Sequence, residues 1–118
     1  MKNNYINYYK QMRVLLIYDL PVELDEDKKA YQKFTKEIKK IGFNMLQYSV
    51  YSKVIQNDTS FKQLRIKINR FLPNKGSIIL FKITEKQYQD MIYLVGFKNK
   101  FDSIIGGNEL VVFGGDNN

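Results

Sequence analysis

Met12-Arg13-Val14-Leu15-Leu16-Ile17-Tyr18-Asp19-Leu20-Pro21 decides how the rest of this chain is read. Val14 to Tyr18 is a short, unbroken apolar run with Arg13 before it and Asp19 after it. A run of that length and make-up is the pattern of a buried strand. Pro21 lacks an N–H and biases Leu20 away from the helical region, so the strand stops there. One carboxylate, Asp19, is thereby delivered to the mouth of a sheet, where it can hold a metal ion.

Composition removes much of the usual chemistry. The 118 residues support one domain with a core that needs neither metal nor disulfide. There is no cysteine, hence no disulfide framework, no Cys-based zinc site and no thiol nucleophile, which fits a reducing compartment. There is no histidine either, which removes the commonest general base and every Ser-His or Cys-His mechanism. What remains is carboxylate, Lys, Tyr, Ser or Thr chemistry, or a bound ion. No apolar run approaches the roughly 18 residues of a membrane span. Residues 1–11, with Lys2 and Lys10 and no continuous apolar core, read as a flexible extension or a start-site artefact, not a secretory signal. The expected location is cytoplasmic.

The net charge of +7 is unevenly placed. Residues 28–75 hold twelve Lys and Arg against only Glu37 and Asp58, and the remainder of the chain is net acidic. A concentrated positive field of this kind raises the local concentration of nucleic acid.

The elements follow from periodicity and punctuation. A helix is expected from Glu26 to Ile41, with Asp25 as N-cap and Gly42 as its stop. Glu23, Asp25, Glu26 and Asp27 sit where the helix dipole favours negative charge; the same cluster can also be read as a second metal site. Tyr31, Phe34, Ile38 and Ile41 fall on one face, and Lys29, Lys33, Lys36 and Lys40 on the opposite one. Phe43 to Lys53 reads as one bent strand or two short ones, because the alternation changes phase near Met45-Leu46. A second helix spans Ser60 to Phe71 and repeats the apolar spacing at Phe61, Leu64, Ile68 and Phe71. Ser77 to Ile83 is a strand. Thr84-Glu85-Lys86-Gln87 matches a capping box and opens a short helix. Met91 to Val95 is expected as a strand ended by Gly96, and Leu110 to Phe113 as an extra C-terminal strand. The tail 114–118 is expected to be disordered. Strand, helix, strand, strand, helix, strand, with both helices on one sheet face, is the α+β ferredoxin-like βαββαβ sandwich. Residues 12–113 form that domain. Its other sheet face is still apolar in places, and a second copy of the chain is the simplest cover.

Five pieces in register now point to a family: Met12-Arg13, Tyr18-Asp19-Leu20-Pro21, Tyr31-Gln32-Lys33-Phe34, Gly42-Phe43-Asn44-Met45-Leu46-Gln47-Tyr48-Ser49-Val50-Tyr51 and Thr84-Glu85-Lys86-Gln87. Together they closely resemble CRISPR-associated protein 2, in the form found in type II systems, from Met12 to Gly96. The resemblance implies a ferredoxin-like homodimer that partners the CRISPR integrase in spacer acquisition, with duplex DNA laid across it. It also implies an alternative, a Mg²⁺-dependent endonuclease acting on RNA or DNA through the Asp that closes the first strand, here Asp19. Leu110 to Phe113 would join the neighbouring subunit's sheet. The chain departs from the family pattern in the eleven residues before Met12, and in Lys28, Lys29 and Lys33, where relatives often carry Arg. Lysine does not grip phosphate bidentately.

The candidate residues divide into two groups. Asp19 is the catalytic and metal-binding candidate: one from each subunit across a dimer axis would hold Mg²⁺, which keeps several waters and takes oxygen ligands. Without the cation two such carboxylates repel each other. The competing reading is an Asp whose carboxylate bonds backbone N–H groups in the turn beside Pro21. No separate general base is visible. The nucleic-acid-binding candidates are Lys29, Lys33, Lys36 and Lys40, joined by Arg65, Lys67 and Arg70 on the second helix. Ser49 and Tyr51 read as strand residues with exposed hydroxyls that can help hold phosphate or water. Nine Tyr and eight Phe invite a base-stacking reading, but no Lys/Arg-Gly-aromatic motif is present and most rings fall at core spacing.

Overall fold

The computed structural model describes residues 11–96. The expected extension before Gln11, the strand Leu110 to Phe113 and the tail 114–118 lie outside the described residues. The element order is β1 (Met12–Asp19), α1 (Asp25–Lys40), β2 (Asn44–Gln47), β3 (Val50–Ile55), α2 (Asp58–Asn69), β4 (Ser77–Thr84) and α3 (Glu85–Gln89). The strands form one antiparallel sheet in the order β2-β3-β1-β4. Each crossover, β1-α1-β2 and β3-α2-β4, skips one position, and the skipped position is filled by a strand of the other unit. That interleaving is the ferredoxin-like arrangement. Two compact units divide the chain, the first ending at Glu85 and the second beginning at Lys86.

Alternation along β1 builds the core of the first unit. Val14, Leu16 and Tyr18 point to the helix-covered face, where they join Phe34 and Ile38 of α1, Leu64 and Ile68 of α2, and Tyr51 and Ile55 of β3. Each such side chain contributes about 1.5–3 kcal/mol on burial. Tyr18 is the hub at the far end of the strand. It stacks on Tyr51 with ring centroids 5.9 Å apart and meets Phe34 and Tyr31 edge-on. Its hydroxyl shares a 2.6 Å hydrogen bond with Thr35 Oγ1. The opposite sheet face carries Leu15, Ile17, Ile79 and Phe81 across β1 and β4, with Ile79 and Phe81 exposed.

The helix ends follow local chemistry. At the close of α1 the Gly42 N–H donates to the Lys39 carbonyl and the Phe43 N–H to that of Ile38. This double bond with Gly42 at φ 105° is a Schellman ending, so Gly42 is the expected stop. Its start is one residue earlier than expected: Leu24 occupies the N-cap position, and Asp25 is already helical. α2 likewise begins at Asp58, because the Asn57 side chain accepts from the Ser60 N–H at 2.8 Å and nucleates the turn before it. The phase change in the second strand region is a register shift between Met45 and Gln47, followed by a tight turn at Tyr48-Ser49 that makes two short strands.

Met91 to Val95 is not a strand. After α3 the described chain runs through irregular backbone and bends to Gly96 at φ 105°. Ile92, Leu94 and Val95 are exposed, and no ladder partner is present among the described residues. An apolar run satisfies strand periodicity without supplying the neighbour that a ladder needs.

A candidate carboxylate site and nucleic-acid interface

Asp19 ends β1 exposed to solvent, opposite Ser77 of β4. Among the described residues it makes no hydrogen bond or ion pair, so the turn-capping alternative is not realised. Its backbone, by contrast, is tightly held. The Tyr18 N–H donates to the Ser49 carbonyl at 3.0 Å, which clamps the β2–β3 turn to the strand one residue before Asp19. From the other side Gly76, at φ 95°, lies against the same segment. A Cβ there would stand 2.7 Å from the Asp19 carbonyl oxygen and 2.5 Å from the Leu20 side chain. Only a glycine permits that approach. The carboxylate is therefore free while the peptide that carries it is fixed.

Ser49 and Tyr51 do not present free hydroxyls on a strand. Ser49 is in the turn at φ 65°, and its Oγ is 3.1 Å from the Tyr31 hydroxyl. Tyr51 is buried under the Tyr18 ring. Burial also pushes the Tyr18 phenol well above the usual tyrosine range, against the opposing pull of the Thr35 hydrogen bond.

The acidic residues before α1 do not form a second metal site. Among the described residues no three carboxylates lie together in a way that suits a cation. Asp27 is buried and serves the fold: it accepts from Lys75 Nζ at 3.1 Å and from the Leu24 N–H at 3.4 Å. That pair ties the loop before β4 to the start of α1 and walls a cleft of about 190 Å³ lined by Pro21, Tyr31 and Pro73.

Lys29, Lys33, Lys36 and Lys40 are all exposed on α1. At 3.6 residues per turn their azimuths fall within roughly 60° of each other, so they make one continuous stripe on the face away from Phe34 and Ile38. Of these four, only Lys40 has an ion-pair partner among the described residues, Glu37 at 4.0 Å. Arg65, Lys67 and Arg70 are exposed on or beside α2. Arg65 lines a cleft with Leu72 and Leu80, while Lys67 lines another, on the opposite flank, with Ile41 and Lys53. The four lysines of α1 fall on one stripe, while Arg65 and Lys67 of the second helix line different clefts.

Two charged residues of structural importance escaped the sequence reading. Arg13 Nε donates to Glu85 Oε1 at 2.8 Å, and its Nη2 to Oε2 at 3.3 Å, with both side chains buried. Nothing in a separation of 72 residues announces that pair. The available signal was Arg13 itself, an arginine alternating with Leu15 and Ile17 on an otherwise apolar face, which requires an acid close by.

Among the described residues no helix is long and apolar enough to cross a membrane. Comparison with known proteins agrees with the architecture. A CRISPR-associated endoribonuclease Cas2 of Ligilactobacillus salivarius is 47% identical over 89 residues, covering 75% of this chain and 88% of that protein. One of Streptococcus mutans is 39% identical over 105 residues, covering 89% and 94%. A crystal structure of Cas2 superposes with a TM-score of 0.55 over 86% of this chain and 99% of its own, at 17% identity, a likeness of fold. The family model described as CRISPR associated protein Cas2 matches residues 12–91, which takes in every strand and helix among the described residues, and the chain belongs to that family.

Proposed function

We propose that this chain is a dimeric scaffold of CRISPR adaptation that holds duplex DNA and binds the CRISPR integrase during spacer acquisition. The observation that carries this reading is the lysine stripe of α1, exposed on one face and almost without acidic partners. Phosphate contacts by such groups are blind to sequence, which suits a protein that must accept foreign DNA of any sequence. The apolar sheet face with Ile79 and Phe81 exposed supports a second copy as its cover. The test is DNA binding by Lys33→Glu/Lys36→Glu across a salt titration. Affinity falls at low salt, and the log–log salt slope shrinks by about 2, at roughly 0.9 per lost phosphate contact. Unchanged affinity and slope would remove the stripe from the account. Capture of the integrase by the tagged chain tests the partner.

A second reading is favoured by the name of the relatives, endoribonuclease. In it the exposed carboxylate of Asp19 holds Mg²⁺ and the substrate is RNA or DNA. One carboxylate per chain is half of such a site, so Asp19 of a second copy has to complete it. When bound, the ion supplies an activated water and offsets charge on the phosphate. The chain's own contribution is to hold Asp19 on a fixed peptide between Ser49 and Gly76. Asp19→Ala separates the readings: a scaffold still supports spacer acquisition, whereas a nuclease loses all cleavage. Cleavage that survives Asp19→Ala, or survives EDTA, is contamination.

A further inference from the structure

Ile66 is the odd residue of α2. At 3.6 residues per turn it points about 200° away from both Leu64 and Ile68, the buried residues of that helix. It therefore stands on the outer crest, 55% exposed, with Lys62 one turn before it and Arg70 one turn after. Neither cation has an ion-pair partner among the described residues. The helix holds a single acid, Asp58, and Lys82 already occupies it at 2.7 Å. The cleft walled by Asp27 and Lys75 has the opposite make-up. Leu20, Pro21, Tyr31 and Pro73 give it an apolar lining, and Glu26 lies at its edge. Val22 and Leu24, 49% and 53% exposed, follow Pro21 in the same segment and alternate with Glu23 and Asp25. Lys75 answers the charge of Asp27, whereas Glu23, Asp25 and Glu26 have no ion-pair partner among the described residues. At about 190 Å³ the cleft falls below the roughly 300–1,000 Å³ of a small-molecule site and has room for one side chain.

We infer that a second copy of this chain docks here: the Ile66 crest of one copy seats against the acid-rimmed cleft of another, with Lys62 and Arg70 facing Glu23, Asp25 and Glu26. Charge complementarity selects the occupant. The chain carries both halves of the contact, an apolar side chain in a basic frame and an apolar hollow in an acidic one, and the same carboxylates repel nucleic acid from the hollow. Both surfaces lie on the helix side of the sheet, so the contact leaves the face with Ile79 and Phe81 open for the proposed dimer. Because the two surfaces are unlike, the contact is heterologous, and its repetition extends a row of copies instead of closing a pair. The inference goes beyond the scaffold and nuclease readings and stands without the lysine stripe of α1.

The test is light scattering across protein concentration at low and high salt, with neither DNA nor integrase present. The chains are the parent, Glu23→Lys/Glu26→Lys, Lys62→Glu/Arg70→Glu and Ile66→Ala. The parent grows beyond a dimer as concentration rises at low salt and shrinks as salt is added. Each charge reversal alone stops that growth. An equimolar mixture of the two reversed chains regains it, because the basic cleft of one meets the acidic crest of the other, and the recovery shows that both are folded. Ile66→Ala raises the midpoint concentration about tenfold. The chain has no cysteine, so Ala30→Cys and Asn69→Cys chains, mixed and treated with a short bis-maleimide, join to each other in preference to themselves. A parent mass fixed at or below a dimer at every concentration overturns the proposal, as do reversals that leave the growth unchanged. A mixture that stays as small as its components overturns it, and so does cross-linking no greater in the mixture than in either variant alone. Growth that requires added integrase makes the cleft a site for that protein and overturns it too. Loss of DNA binding in Lys33→Glu/Lys36→Glu leaves the growth intact, so the failure of one account is read apart from the failure of the other.

Discussion

The two ends of β1 carry opposite solutions to one problem. Both Arg13 and Asp19 sit on the sheet face away from the helices, six residues apart on one straight strand. Arg13 is buried and held by both oxygens of Glu85. Asp19 is exposed, with its side chain uncommitted among the described residues and its backbone fixed. The first charge is spent on the fold, since a buried ion must be paired to be tolerated. The second is kept available. What distinguishes a structural charge from an available one here is whether the fold has already used its hydrogen bonds.

Breaking the closed end has the largest expected effect. Glu85→Ala removes the buried carboxylate that both guanidinium nitrogens of Arg13 reach and costs about 3–5 kcal/mol, read as a lower urea midpoint at unchanged slope. Replacing both partners with Met recovers most of that loss. If Glu85→Ala unfolds like the parent, the contrast between the two ends disappears. Next comes the mount of the open end. Gly76→Ala combines a positive φ with a clash against backbone at Asp19 and costs about 1–3 kcal/mol. It also displaces the Asp19 and Leu20 amide resonances. Gly42→Ala sharpens the point, because its new Cβ meets the mobile end of Lys53 and the Asp19 amides stay in place.

The ring beneath the open end gives a pH signature. The Tyr18 phenol keeps its proton in the folded state beyond the point, near 10, where an unfolded tyrosine loses it. The folded form then binds more protons than the unfolded one, so stability falls as pH rises through that region. Tyr18→Phe removes this part of the alkaline slope, measured as the denaturation midpoint from about pH 8 to 11. The smallest change in stability belongs to Asp19→Asn, within about 0.5 kcal/mol, although in the nuclease reading it abolishes cleavage. A destabilisation well above that would turn Asp19 into another structural charge.

The strands and helices were legible because each carries its own periodicity and its own punctuation. Val14, Leu16 and Tyr18 alternate, Phe34 and Ile38 repeat at helical spacing, and Gly42 and Pro21 stop what precedes them. Asp19 and the lysines of α1 were legible for the same local reason. The pairings were not. Glu85 meets Arg13, Lys75 meets Asp27, and Gly76 meets Asp19 only once the sheet order is set, and no local pattern encodes a contact across so many residues. The split of Arg65 from Lys67 was readable, since residues two apart on a helix point roughly 200° from each other. Met91 to Val95 misled because apolar content stood in for a partner strand that is absent among the described residues.

The lysine stripe fixes a scale. Lys29 to Lys40 spans eleven residues, about 17 Å of helix. Duplex DNA carries one phosphate charge per roughly 1.7 Å of axis, so four ammonium groups face on the order of ten phosphates. One α1 neutralises less than half of the charge it can span, and has no groove or edge with which to count bases. In the scaffold reading, a defined length of DNA is therefore set by how many such helices stand in a row, so that the ruler resides in the assembly and each chain supplies a single graduation.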